Sequence, residues 1–129
     1  MIGYVDAGYL LDPHKAQSQM WYVFTYGDTT ISWKSTKQTM VATFLNHSEI
    51  LVIHEASREC VWLRSMIQHI QQACGLSSIR GNATKLHEDN VACFAQIKGG
   101  FIKGDITKHI SPKFFYTHEL QEKGEIDVQ

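Results

Sequence analysis

Three acids in this chain stand where side chains from separate elements can meet. Asp6 follows the apolar run Ile2 to Val5. Glu49 precedes a long apolar stripe, and Asp89 follows the short segment Thr84 to His87. Carboxylates that converge repel one another, raise each other's pKa and attract a divalent cation. An all-oxygen donor set favours Mg²⁺ or Mn²⁺ over zinc. Two such ions about 4 Å apart clamp the attacking and leaving oxygens of a phosphodiester. Each acid also has a purely structural reading. Asn46-His47-Ser48-Glu49 has the form of a capping box, Asp89 that of an N-cap, and Asp6 that of a turn residue before Gly8. Spacing alone leaves both readings open.

Other constellations carry less. Lys98, Lys103, Lys108 and Lys113, with His109, gather positive charge around a glycine-bearing loop opposed only by Asp105. That is a phosphate-backbone contact or an ordinary solvated surface, and Lys34 and Lys37 near Trp33 could add to it. The seven histidines form no His-Glu-x-x-His pattern and no zinc-finger spacing with cysteine. Gly99-Gly100 through Lys103-Gly104 lacks the Gly-Lys-Ser/Thr of a phosphate loop. Cys60 falls on an apolar helical stripe, so packing explains it.

The elements that must position these groups can be read in order. Ile2 to Val5 reads as a strand ending in a turn at Asp6-Ala7-Gly8, with a polar loop after it through Asp12-Pro13-His14. Trp21 to Tyr26 and Thr29 to Trp33 flank Gly27-Asp28 as a hairpin, and Val41 to Phe44 is a further extended candidate. From an N-cap at Asn46, Ile53, Ala56, Cys60, Leu63, Ile67 and Ile70 recur three and four apart, which predicts one helix to about Ala73, stopped by Gly75. Thr84 to His87 is a strand. Val91 to Lys98 is a helix with Asp89 at or near its cap, ended by Gly99-Gly100. Ser111-Pro112 opens a third helix stopped by Gly124, and Glu125 to Gln129 is a last strand. Alternating sheet and helix predict a mixed α/β layer.

The 129 residues suffice for one domain, and 43% hydrophobic with 19% charged residues is ordinary globular composition. A net charge of −1 argues neither for nor against a nucleic-acid partner. Three cysteines without a C-x-x-C pair fit free thiols in a reducing compartment. No apolar run is long enough to cross a bilayer, and Met1 to Asp6 has no signal-peptide character, so an intracellular protein, cytoplasmic or nuclear, is expected.

Several segments follow one another in an order that resembles a known family: Tyr4-Val5-Asp6-Ala7, Tyr22-Val23-Phe24, Ile31 through Gln38, Asn46-His47-Ser48-Glu49, Glu55-Ala56 to Trp62-Leu63-Arg64, Glu88-Asp89-Asn90 and Thr107-Lys108-His109-Ile110. Together they resemble the ribonuclease H region of copia-type retrotransposon Pol polyproteins, over nearly the whole chain. The resemblance implies a ribonuclease H-like α/β fold, with a mixed five-stranded sheet and helices on both faces. It implies hydrolysis of the RNA strand of RNA–DNA hybrids with two Mg²⁺ or Mn²⁺ ions, and an upstream reverse transcriptase region as a polyprotein partner. By residue match, Asp6, Glu49 and Asp89 stand at the family's first three metal-binding acids. Lys98, Lys103, Lys108, His109 and Lys113, gathered by local charge, are the candidates for nucleic-acid contact.

The family's fourth acid lies in an Asp-Asn-x-Ala-Asp segment after the last strand, and this sequence stops at Asp127-Val128-Gln129. A single domain over 1–129 is therefore expected, incomplete at its C-terminus, lacking the terminal helix and with one sheet face exposed. Trp21 stands where the family usually has Gly, and Phe44-Leu45 where it has small Ser residues. Two functions are expected from this: a hybrid-cleaving nuclease domain, impaired here, or a catalytically inactive remnant that binds nucleic acid or protein.

Overall fold

In a computed structural model of the chain, residues 1–12, 17–38, 45–77, 81–102 and 108–129 are described. Five strands and three helices follow in the order β1 (Ile2–Asp12), β2 (Gln17–Tyr26), β3 (Thr29–Lys37), α1 (Leu45–Ala73), β4 (Thr84–His87), α2 (Val91–Gly99), α3 (Ser111–Glu122) and β5 (Ile126–Val128). The strands form one mixed sheet in the order β3-β2-β1-β4-β5. β1, β2 and β3 are antiparallel, while β4 runs parallel to β1 and to β5. The extended candidate over 41–44 lies outside the described residues.

The hairpin forms where Gly27-Asp28 predicts it. Both residues have positive φ, 54° and 62°, the backbone of a two-residue turn whose twist matches the flanking strands. The first strand is longer than predicted. Asp6, Ala7 and Gly8 are not a turn: they pair with Trp21, Met20 and Gln19 of β2, and β1 continues to Asp12. Side chains alternate along it, Val5 and Ala7 buried and Tyr4 exposed. Gly3 sits where β2 and β4 close on β1, and a Cβ there would lie 2.5 Å from Leu86 Cδ2 and 2.7 Å from Phe24 Cε1.

All three helices touch one another, with α1 packed against β1 and β2, and α2 and α3 against β5. Between them lies a core that includes Phe24, Ile53, Leu86, Ile97, Phe114 and Ile126. The sheet face away from that core presents Ile2, Tyr4, Trp21 and Trp33, all exposed. The apolar stripe of α1 is buried through Leu63 only. Ile67 is half-buried and Ile70 is 53% exposed, because the helix has by then passed the edge of the body. The start of α1 also differs from expectation. Asn46 lies inside the helix, which has no acidic residue in its first turn, so Glu49 is not the partner of an Asn46 cap.

Helix ends follow local chemistry. Gly75 (φ 70°) and Gly124 (φ 69°) each close a six-residue carbonyl loop, Leu76 N–H to Gln71 O at 2.9 Å and Glu125 N–H to Leu120 O at 3.0 Å. Pro112 occupies the first turn of α3, where its missing N–H costs nothing. Cys60 and Cys93 are buried free thiols, and Cys74 is an exposed one. Among the described residues no helix is long and apolar enough to cross a membrane.

Candidate metal centre

The parallel register of β1 and β4 brings the acids together. Ile2, Gly3 and Tyr4 lie opposite Lys85, Leu86 and His87. Asp6 and Asp89 each follow the last pair, Tyr4 and His87, by two residues. Across the pair, the Tyr4 and His87 rings stack with centroids 5.1 Å apart. β4 is held on its other side by Gln129, whose N–H donates to Leu86 O and whose carbonyl accepts from Glu88 N–H, both at 2.8 Å.

The segment after β4 is locked from both ends. Asn90, not Asp89, is the N-cap of α2, and its side chain accepts from Cys93 N–H at 3.0 Å. Glu88 Oε1 accepts from Asn90 N–H, also at 3.0 Å. Glu49 comes from the second turn of α1, where every residue from His47 to His54 is buried. Gln38, just past β3, fixes that turn. Its backbone N–H donates to Ser18 O at 2.8 Å and its side-chain amide donates to Ser48 O at 2.9 Å.

Ligand oxygens of Asp6, Glu49 and Asp89 all lie within 4.8 Å of one another. Glu49 is buried, Asp6 half-buried and Asp89 exposed, so the cluster has a protein side and a solvent side. A depression of about 330 Å³ opens onto it, with Asp6, Trp21, His87, Glu88 and Asp89 in its lining. Trp21 Nε1–H donates to Asp6 Oδ2 at 2.8 Å. The bulky residue at this position therefore fixes the Asp6 carboxylate.

Burial pushes the Glu49 carboxyl well above the ordinary carboxylate range, and the charges of Glu88, Asp6 and Asp89 push it further. Glu88 is raised too, by burial first and by Asp89 next. Glu49 and Glu88 lie within hydrogen-bonding reach of each other, and that contact adds to the rise at Glu49. Glu49 Oε2 is buried and has no hydrogen-bond partner. An orphaned buried oxygen in an all-carboxylate cluster fits a hard divalent cation, Mg²⁺ or Mn²⁺. Sequence reasoning missed Glu88 and Gln38. Glu88 follows β4 directly and Gln38 directly follows β3, but no spacing rule marks either.

The basic candidates are scattered in state. Lys98 pairs with Asp127 at 3.3 Å and lies 4.8 Å over the Phe94 ring, so its charge is engaged within the fold. Lys108 and His109 are exposed in the turn before α3, and Lys113 is half-buried on α3. Lys103 lies outside the described residues. Lys34 pairs with Glu55 of α1 at 3.7 Å.

No family model matches the chain. It is 26% identical over 132 residues, 98% of its length, to the "Retrovirus-related Pol polyprotein from transposon TNT 1-94" of Nicotiana tabacum. It is 35% identical over 63 residues to the "Secreted RxLR effector protein 161" of Plasmopara viticola, covering 49% of this chain. The chain spans 9% of the polyprotein and 44% of the effector protein. Its fold matches LC11-RNase H1, isolated from compost by a metagenomic approach, with a TM-score of 0.62 at 14% identity, covering 99% of this chain and 81% of that one. The same protein in complex with an RNA/DNA hybrid matches with a TM-score of 0.64 at 15% identity, covering 98% and 80%. Likeness to a Pol polyprotein along nearly the whole sequence stands beside the likeness of the five-stranded sheet to that of a ribonuclease H: the chain has a ribonuclease H-like fold and is similar in sequence to a retrotransposon Pol polyprotein.

Proposed function

We propose that this domain is of the copia type, binds Mg²⁺ or Mn²⁺ at Asp6, Glu49 and Asp89, and hydrolyses the RNA strand of RNA–DNA hybrids. The observation that carries the reading is the convergence of three acids from β1, α1 and the end of β4 within 4.8 Å. A bound divalent cation would supply Lewis-acid stabilisation of the phosphodiester and an activated water. The protein's part is to hold the donors. Trp21 N–H fixes the Asp6 carboxylate, and the Asn90 cap fixes the backbone beside Asp89. Gln38 braces the turn that carries Glu49. Asp89 faces solvent, the side from which a hybrid would approach.

Three acids seat one ion more firmly than two, so slow hydrolysis is expected of the 129 residues alone. Lys108, His109 and Lys113 are the proposed contacts to the hybrid backbone, and an upstream reverse transcriptase region is the proposed polyprotein partner. Cleavage of a labelled RNA–DNA hybrid in Mg²⁺ and Mn²⁺, with Asp6→Asn as control, tests the activity. Cleavage that survives Asp6→Asn, or none from wild type in either metal, would refute it.

A further inference from the structure

We propose that the second half of α1 is the contact surface of a weak, antiparallel homodimer, in which the helix packs against its own copy. The inference is independent of the metal-centre reading. Trp62, Met66, Ile70 and Ala73 recur four, four and three apart, so they share one side of α1. That side lies roughly 100° round the helix from the stripe that Ile53, Ala56 and Cys60 turn to the core. Trp62 is 53% exposed, Met66 41% and Ile70 53%. From Ser65 to Ser77 the chain carries no Lys, Arg, Asp or Glu, and the last turn of α1 holds no basic residue for its carbonyls. A surface helix ordinarily carries charge on its outward face. The centre of a protein interface is instead depleted in charge and enriched in Trp and Met.

A second copy of this chain suits that side. Pairing about a two-fold axis sets the same surface against itself, so every charge in the overlap needs an opposite one placed to meet it. Here there is none to match. The stripe is also graded in size, with the Trp62 ring at the body end and Ala73 at the free end. An axis between Met66 and Ile70 puts Trp62 over Ala73 of the partner subunit, and Met66 against Ile70 of the partner subunit. Wide meets narrow at both ends of the contact. A parallel pair would set ring on ring and drive the two folded bodies together, since both sit at the same end of α1. The patch runs about 18 Å along the helix. It offers about 500 Å² per chain, so a pair buries about 1,000 Å². That is the lower edge for a specific interface, which makes the dimer a weak one, dissociating on the order of 10–100 µM.

Sedimentation velocity of the whole chain from about 1 to about 500 µM tests the pairing. Wild type is expected to pass from monomer to dimer over that range, and high salt should not weaken it, because no ion pair holds the contact. Ile70→Asp buries a carboxylate against Met66 of the partner subunit and should weaken the dimer by roughly tenfold or more. Ala73→Trp adds apolar surface yet fills the seat of the opposing ring, so it should weaken the dimer too. Circular dichroism of each variant establishes that it is folded. Amides of residues 68–73, fast to exchange in the dilute monomer, should slow as concentration rises. A wild type that stays monomeric throughout, or an Ile70→Asp chain that pairs like wild type, overturns the proposal. An Ala73→Trp chain that pairs more tightly than wild type overturns it as well, since unspecific apolar contact would then account for the association.

Discussion

Replacing Glu49 by glutamine is expected to stabilise the metal-free domain and abolish its response to divalent cations. Burial, and then the charges of Glu88, Asp6 and Asp89, raise the Glu49 carboxyl from 4.5 to about 9. The folded chain therefore keeps a proton that the unfolded chain releases above 4.5. The contribution of Glu49 to stability is greatest below 4.5 and falls as pH rises toward 9, by about 1.4 kcal/mol per unit. At pH 7 the ceiling is about 3 kcal/mol, and the linked titration of Glu88, also raised by burial, brings the expected cost to about 2 kcal/mol. Glutamine keeps the length of the side chain and can donate to Glu88, but it has no proton to lose. Thermal unfolding followed by far-ultraviolet circular dichroism in EDTA should show Glu49→Gln melting about 6–8 °C above wild type at pH 7. Its melting temperature should also vary less from about pH 5 to 8. Mn²⁺ should raise the melting temperature of wild type and leave the variant unmoved. A variant that melts at or below wild type in EDTA, with the same dependence on pH, would refute the reasoning.

Trp21→Phe removes the N–H that holds Asp6 and should weaken Mn²⁺ binding by roughly tenfold, read by calorimetry, with little change in melting temperature. Burial first, and the Lys113 charge second, lower His54 to about 4. The unfolded chain takes up a proton at 6.5 that the folded chain refuses, so this group makes stability fall as pH drops from 6.5 to about 4, opposite in sign to Glu49. His54→Phe, with a ring still packed against Tyr116, should remove that loss in acid melts. Lys108→Ala with Lys113→Ala should weaken binding of an uncleaved RNA–DNA hybrid and shallow its dependence on salt by about one to two log units per log unit. A salt slope equal to wild type would show that these lysines touch no phosphate.

Much of the site could be read in the residues, because each acid is tied to a local signal. Asp6 follows an apolar run, Asp89 stands beside a helix cap, and Glu49 heads a periodic stripe. The hairpin was readable for a similar reason, since Gly27-Asp28 tolerates the positive φ that a two-residue turn needs. The errors fall where tertiary contacts decide. Gly8 resembles a turn residue, but pairing with Gln19 keeps the strand going. Asn46 and Glu49 match a capping box, yet α1 starts earlier and is braced instead by Gln38. Ile67 and Ile70 keep the helical period, but periodicity carries no information about where the folded body ends. Glu88 escaped notice because its meaning depends on a neighbour 39 positions away that the chain brings to it.

The overhang of α1 divides one continuous helix into two thermodynamic regimes. Up to Leu63 its amides are shielded by the core and can open only when the domain does. From Gln68 to Ala73 most side chains are exposed, and helicity rests on residue propensity and on the Gly75 stop. Deuterium uptake along this one segment should therefore run from the slowest in the molecule to among the fastest, with Arg64, anchored to Glu125 at 3.1 Å, marking the border.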